Sequence, residues 1–319
     1  MRLLTPLIAI SLLAAVVAGC GSDENGDGPT VAVTTGIWAD VTEAIVGEDA
    51  SVEQIIPDGT SPHDFQLSAR DRAEIEDSVL LVYNGADLEA GIPIGDLDAT
   101  AFAMTDHAGR LRRFREAGAH DDASEDEQAD EEVHAEEDEH GGFDPHVWMD
   151  PTRVAAAVPA LADALAKADP DHADGYRERA SSSYVRELDA LDREIRSTLA
   201  AIPAANRQLV TSHDALGYFA DRYGFQVIAT PFPASGPESE PSARTIAEVE
   251  EAIRTSGVPT VFAQETDNPE VLEGIASRTG VRIETGLPVE APGAAGSYIE
   301  MLRRDAEFIG AGLAGSQGQ

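Results

Sequence analysis

Eight histidines occur in this chain of 319 residues, and their neighbours divide them into distinct sets. His63, His146 and His213 sit in Pro62-His63-Asp64-Phe65, Pro145-His146-Val147-Trp148 and Ser212-His213-Asp214-Ala215, contexts that read as turns or as loops directly after strands. His120, His134 and His140 lie in a strongly acidic stretch, while His107 and His172 read as ordinary surface residues. Three neutral imidazoles brought from separate loops to one cleft would make a three-nitrogen site, which suits a borderline cation such as zinc. Each of the first three is followed by a group that could orient or pack its ring: Asp64, Trp148 or Asp150, and Asp214. A lone loop histidine, however, is more often a helix cap or a surface residue. Separations of 83 and 67 residues do not define a metal site. The residues alone leave convergence open.

The elements that must position these side chains read as α/β. Thr30–Thr35, Ser51–Pro57, Val79–Tyr83 and Ala101–Met104 are short β-branched or apolar runs, with a helical pattern from Ile37 to Val46 between the first two. Strand, helix and strand at this spacing make a βαβ unit and a parallel sheet. Asp150-Pro151 opens a helix to about Ala168, with Asp as the cap and Pro at the first helical position. Asp169-Pro170 repeats that signal. Tyr176, Tyr184, Leu188, Leu191, Ile195 and Leu199 then recur at helical spacing, which predicts one helix of roughly thirty residues ending near Pro203. Beyond it βα units resume. Strands are expected at Gln208–Thr211, Phe225–Ala229, Thr260–Ala263 and Arg282–Glu284, and helices through Tyr223 and over Ala243–Ser256, Val271–Arg278 and Tyr298 to about Leu313. In parallel sheets ligand groups project from loops at the carboxyl ends of strands, which is where His63 and His213 fall.

Residues 1–19 read as a lipoprotein leader: one Arg, an apolar stretch from Leu7 to Val17, then small residues. Val17-Ala18-Gly19-Cys20 is similar to a prokaryotic lipobox, which makes Cys20 the expected site of lipidation and residues 20–30 a polar tether. Cys20 is the only cysteine, so disulfides within the chain and cysteine-based zinc sites are excluded. No other segment approaches about 18 consecutive apolar residues. The expected organisation is an N-terminal α/β lobe over 31–168, a linking helix over 169–203 and a C-terminal α/β lobe over 204–319. An acidic insertion at 118–142 interrupts the first lobe and reads as a solvated, disordered loop.

The chain carries 59 Asp+Glu against 22 Lys+Arg, a formal net charge of −37. That balance argues against nucleic acid as a partner, because no basic patch is present to neutralise phosphates. It equally argues against charge-driven docking on anionic membrane surfaces. Residues 120–140 alone hold 12 Asp/Glu and three histidines; the rest of the excess is consistent with solubility or salt adaptation.

Several motifs together resemble the solute-binding lipoproteins of zinc and manganese ABC transporters. They are Pro57-Asp58-Gly59 with Pro62-His63-Asp64-Phe65, then Tyr83-Asn84-Gly85-Ala86-Asp87-Leu88-Glu89, then Asp144-Pro145-His146-Val147-Trp148-Met149-Asp150-Pro151. Thr211-Ser212-His213-Asp214-Ala215-Leu216-Gly217-Tyr218-Phe219 and Tyr223-Gly224 complete a set that spans the mature chain. The resemblance implies two α/β lobes with parallel sheets bridged by one long rigid helix, and a metal held in the cleft by His63, His146 and His213. It also implies an exported protein, anchored by lipid to the outer face of the cell membrane, that hands its cargo to an ABC permease as a monomer.

The fourth ligand departs from that pattern. Family members often carry Glu after the strand matching Val261-Phe262-Ala263, where this chain has Gln264 followed by Glu265. An Asp some thirteen residues before the matching tyrosine is also common, and that count reaches Thr285 beside Glu284. Glu265 or water is therefore expected to complete the site, with Glu284 as a weaker candidate. Three histidines without a firm carboxylate favour Zn2+ over Mn2+, which prefers more oxygen ligands. The acidic segment lies where zinc-type members carry a His-rich loop, so His120, His134 and His140 are auxiliary candidates for weak metal binding, and a metal-free solvated insertion is the alternative. A manganese-binding protein, or a surface adhesin or metal-buffering lipoprotein, would carry the same site. A zinc hydrolase is the least favoured reading, since the chain has no HExxH, no GxSxG elbow and no P-loop.

Overall fold

The computed structural model describes residues 28–114, 142–232, 241–265 and 270–314. The leader, Cys20 and the stretch holding His120, His134 and His140 lie outside the described residues. The first half of the fold is a four-stranded, fully parallel sheet in the order β2-β1-β3-β4. Its strands are β1 (Thr30–Val33), β2 (Ser51–Gln54), β3 (Leu80–Tyr83) and β4 (Ala101–Ala103), with α1 (Gly36–Val46) crossing between β1 and β2. β1 and β3 are almost wholly buried, as continuous apolar runs in a covered parallel sheet should be.

A short helix, α2 (Ala69–Glu76), precedes β3 and was not expected from the sequence. A capping box between Ser68 and Asp71 starts it, but Ile75 is its only buried residue. With no apolar stripe there is no periodic signal to read.

Asp150 caps α3 (Pro151–Ala168), accepting the Thr152 backbone N–H at 2.9 Å. The expected long helix then appears with irregularities. A 3₁₀ turn at Pro170–His172 leads into α4 (Ala173–Arg179), a π-helical turn at Ala180–Tyr184, and α5 (Val185–Leu199). The residues flanking the π turn keep right-handed helical dihedrals, so the run continues from Ala173 to Leu199. It is not a bare strut. Leu188, Leu191, Ile195 and Leu199 are buried, and α5 packs against both α3 and the final helix, α9 (Tyr298–Ala314).

The second half pairs β5 (Gln208–Val210) with β6 (Gln226–Ala229), and β7 (Thr260–Gln264) with β8 (Arg282–Leu287), all parallel. A parallel bridge between Thr211 and Phe262 joins β5 to β7. α6 (Gly217–Tyr223), α7 (Ala243–Ser256) and α8 (Glu270–Thr279) supply the crossovers. One buried apolar cluster runs from β1, β3 and α1 through α3 and α5 to α6 and α9, with Trp38 and Trp148 edge to face at 6.3 Å in it.

Leu188 is fully buried within that continuous core. Leu188→Ala should therefore lower unfolding stability by about 2–5 kcal/mol, read by chemical denaturation of the metal-free protein.

Candidate metal centre

The loops leaving the carboxyl ends of the parallel strands converge. His63 lies in the loop after β2, His213 three residues after β5 ends at Val210, and Glu290 three residues after β8 ends at Leu287. His146 arrives differently, at the start of a 3₁₀ turn, Val147–Met149, that leads into α3. Each of these four residues offers a ligand atom, and the four atoms lie within 4.8 Å of one another. The ring centroids are 5.5 Å apart for His63 and His146, 6.1 Å for His63 and His213, and 5.4 Å for His146 and His213. His213 Nε2 is 3.7 Å from Glu290 Oε1. A tetrahedral zinc ion, with nitrogen and oxygen ligands about 2.0–2.1 Å away, would separate its ligand atoms by about 3.3 Å. The group therefore needs only a small contraction to close on such an ion.

His146 and His213 are fully buried, and the Nε2 atoms of His63, His146 and His213 have no hydrogen-bond partner. Buried nitrogens without partners are costly unless something takes the lone pair. His146 Nδ1 faces Asp144 Oδ1 at 2.8 Å, and the same carboxylate oxygen accepts the His146 backbone N–H at 3.0 Å. That pairing places the proton on Nδ1 and leaves Nε2 to the centre of the group.

The supporting contacts tie the ligand segments together. The Trp148 indole N–H donates to Val289 O at 2.7 Å, linking the His146 segment to the residue before Glu290. Asn84 Nδ2 donates to Pro145 O at 3.0 Å, and Asn84 is fixed by the Trp38 indole N–H at 3.0 Å. Behind Asn84 the buried Glu89 carboxylate accepts from Thr34 Oγ1 and from the backbone N–H groups of Asn84 and Gly85. Gly85 has φ +87°, and a Cβ there would lie 2.5 Å from Thr105 Oγ1. The run from Tyr83 to Glu89 thus holds up the His146 loop rather than touching a cation.

The sequence placed the three histidines in loops, and the structure brings them together. It does not bring Glu265. That side chain is exposed just beyond β7, on the rim of a cavity of about 360 Å³ that it shares with Asp58, Gly59 and Glu290. Glu284 sits within β8, 3.5 Å from Arg282, and is not part of the group either. Glu290 was missed because the sequence ends β8 at Glu284, whereas the strand continues to Leu287 with a register shift between Ala263 and Gln264. An acidic residue directly after the apolar Val289, at the carboxyl end of a strand, was the available signal. Of the expected groups, Trp148 packs edge to face on the His146 ring at 5.2 Å, but the carboxylate that engages the ring nitrogen is Asp144, before the histidine, which the sequence did not single out as an orienting group. His107 is exposed and stacks on Phe102, while His172 pairs with Asp169 at 2.7 Å, both away from the group.

The sequence profile described as zinc-uptake complex component A, periplasmic, matches residues 31–312. The chain belongs to this family. It is 28% identical to the manganese-binding lipoprotein MntA of Halalkalibacterium halodurans, over 95% of this chain and 96% of the relative. It is 29% identical to the high-affinity zinc uptake system protein ZnuA of Bacillus subtilis, over 95% of each. Among solved structures, the periplasmic zinc-binding protein TroA of Treponema pallidum superposes with a TM-score of 0.75 at 27% identity, covering 90% of this chain and 99% of that one. The two-lobe α/β fold, membership of a metal-uptake family and a binding rather than catalytic role follow from these matches.

Burial pushes the His63 imidazole down to about 3, with the neighbouring His146 adding to the effect and Asp144 opposing it. Burial first, then His146 and His63, holds His213 well below the usual histidine range. Both rings are thus neutral at pH 7 and stay neutral as the pH falls through 6. Protonation of these two rings therefore does not compete with the metal across the ordinary histidine range. Two ordinary imidazoles would cost roughly several hundredfold in affinity between pH 7 and pH 5. We expect the metal affinity of this protein to fall by much less over that interval, as measured by competition titration against a chelator of known pH dependence.

Proposed function

We propose that the chain captures one Zn2+ through His63, His146, His213 and Glu290 and releases it to an ABC permease for uptake. The observation that carries this reading is a buried group of three imidazoles and one carboxylate whose ring Nε2 atoms have no partner. Three nitrogens and one carboxylate suit four-coordinate zinc, whereas manganese favours more oxygen donors. Relatives named for zinc uptake and for manganese binding are similarly close, so the ligand set supports the choice between the two metals.

Capture on this reading is closure without chemistry. His63 and His146 come from the half built on β1–β4, and His213 and Glu290 from the half built on β5–β8. A cation bound by all four joins the two halves. The continuous core through α3, α5 and α9 limits how far they can part, which favours small tilts and loop movement over wide hinge opening.

Among the described residues no helix is long and apolar enough to cross a membrane. The proposed attachment is a lipid on Cys20, with residues 20–30 as tether and the binding lobes, as a monomer, outside the cell membrane. Cys20→Ser should move the protein from the membrane fraction to the soluble fraction without changing metal affinity.

The ligand assignment is tested by substitution. The native protein should retain one zinc per chain through dialysis against excess manganese, by elemental analysis. His146→Ala should abolish that retention, Glu290→Gln should weaken it by at least tenfold, and Glu265→Gln should change it less than threefold. One-site zinc binding undiminished in His146→Ala would overturn the assignment, and retention of manganese in place of zinc would overturn the choice of metal.

A further inference from the structure

Arg112 lies on the chain leaving β4, in contact with the acids that flank two of the histidines. Its guanidinium is 13% exposed and meets three carboxylates: Asp144 Oδ2 at 3.1 Å, Asp214 Oδ2 at 3.7 Å and Asp221 Oδ2 at 3.3 Å. Two of these acids flank proposed ligands, since Asp144 is two residues before His146 and Asp214 follows His213 directly. The Asp144 side chain is fully buried and divides its oxygens, Oδ1 to the His146 ring and backbone, Oδ2 to Arg112.

The backbone closes the same unit. Arg112 N–H donates to Tyr218 Oη at 2.9 Å, Tyr218 Oη donates to Asp144 O at 2.9 Å, and Asp144 N–H donates to Arg112 O at 2.8 Å. The guanidinium lies against Gly217, where a Cβ would come within 2.2 Å of Nη1 and 2.6 Å of Asp144 Oδ2. Glycine at 217 is therefore a steric requirement of the cluster. Asp214, Gly217, Tyr218 and Asp221 all belong to the half that carries His213, so the cluster spans both halves beside the ligands.

We infer that Arg112 is a positioning residue for metal capture: it fixes the Asp144 carboxylate that orients His146, and ties it to the segment that bears His213. The inference rests on the reading of His146 as a ligand. A buried carboxylate with one oxygen on an imidazole keeps that geometry only while the other oxygen has a partner of opposite charge. Without Arg112, Asp144 and Asp214 are two acids facing each other with no cation between them. They would part, and the two rings beside them would part as well. Outer partners of ligand histidines typically control affinity by 10–100-fold. Lysine restores the charge but cannot span two carboxylates with a rigid fork, so it recovers only part of the effect.

The test is a double-substitution cycle on the full-length protein, with zinc affinity read by chelator competition and the fold of each metal-free variant checked by circular dichroism. Arg112→Gln should lower zinc affinity by about 10–100-fold, and Arg112→Lys should recover part of the loss. In the Asp144→Asn background, Arg112→Gln should cost less than about threefold, because the carboxylate it acts through is gone. Asp221→Asn, at the exposed edge of the cluster, should leave affinity within about twofold. Nitrogen-detected NMR of the metal-free protein should show His146 protonated on Nδ1 in the native chain and in mixed tautomers in Arg112→Gln. Native affinity in folded Arg112→Gln, or the same loss in both backgrounds, overturns the inference. If Arg112→Gln does not fold, Arg112→Lys and Asp144→Asn carry the test: native affinity in both overturns it. Loss of zinc in His146→Ala beside native binding in Arg112→Gln would refute only this role, whereas native binding in His146→Ala would refute the ligand reading itself.

Discussion

Three imidazoles gathered beside one carboxylate, with buried Nε2 atoms that have no hydrogen-bond partner, set the terms for the rest of this structure. Such a group is unfavourable on its own, because burial removes water from the nitrogens and nothing replaces it. The surrounding fold must hold the rings together against that cost until a cation arrives. It does so with backbone-directed contacts: Trp148 to Val289, Asn84 to Pro145, and Tyr298 Oη to Trp148 O at 2.5 Å. Each runs between segments far apart in sequence, so the geometry at the centre is a property of the whole core rather than of any one loop.

Parallel sheets explain why four distant residues meet. The parallel strands of both halves send their carboxyl ends toward the same region, and three of the four proposed ligands lie in the loops that follow β2, β5 and β8. His146 is the exception, and it is also the most heavily braced. It is flanked by Asp144 on one side and by the capped start of α3 on the other. A residue outside the strand-to-loop geometry needs this separate scaffold, which the Asn84–Glu89 network and the Trp38–Trp148 pair supply.

Much of this was legible in the sequence, and the reasons are local. Strands β1 and β3 announce themselves by β-branched and apolar runs, and α3 by Asp150-Pro151, because these signals depend on near neighbours. The three histidines stood out because each falls in a distinctive loop. What the sequence hid is relational. Glu290 depends on where β8 ends, and that end is moved by a register shift against β7 and by Gly286 at φ +89°. Asp144 precedes its histidine instead of following it, and Arg112 lies 34 residues from the ring it serves, across the acidic segment. Pairings of this kind are set by tertiary packing, and no spacing rule reaches them.

The composition takes on a structural meaning at this point. A chain at −37 carries one lysine among its 22 basic residues, and the arginines are placed where a branched, planar cation can meet several partners. Arg222 forks onto both oxygens of Asp192. Arg207 meets the carbonyls of Leu199, Ile202 and Tyr223, closing the end of α5. Arg179 reaches Val46 O and Asp49 at the end of α1. Lysine carries its three donors on one compact point and lacks the planar fork that spreads five donors across such a set. In so acidic a protein cations are scarce, and these three arginines work at junctions between elements, whereas others, such as Arg70 with Glu74 and Arg244 with Glu248, form exposed ion pairs within one helix. Arg112 beside the metal centre follows the same rule: one guanidinium meets three acids where the two halves come together.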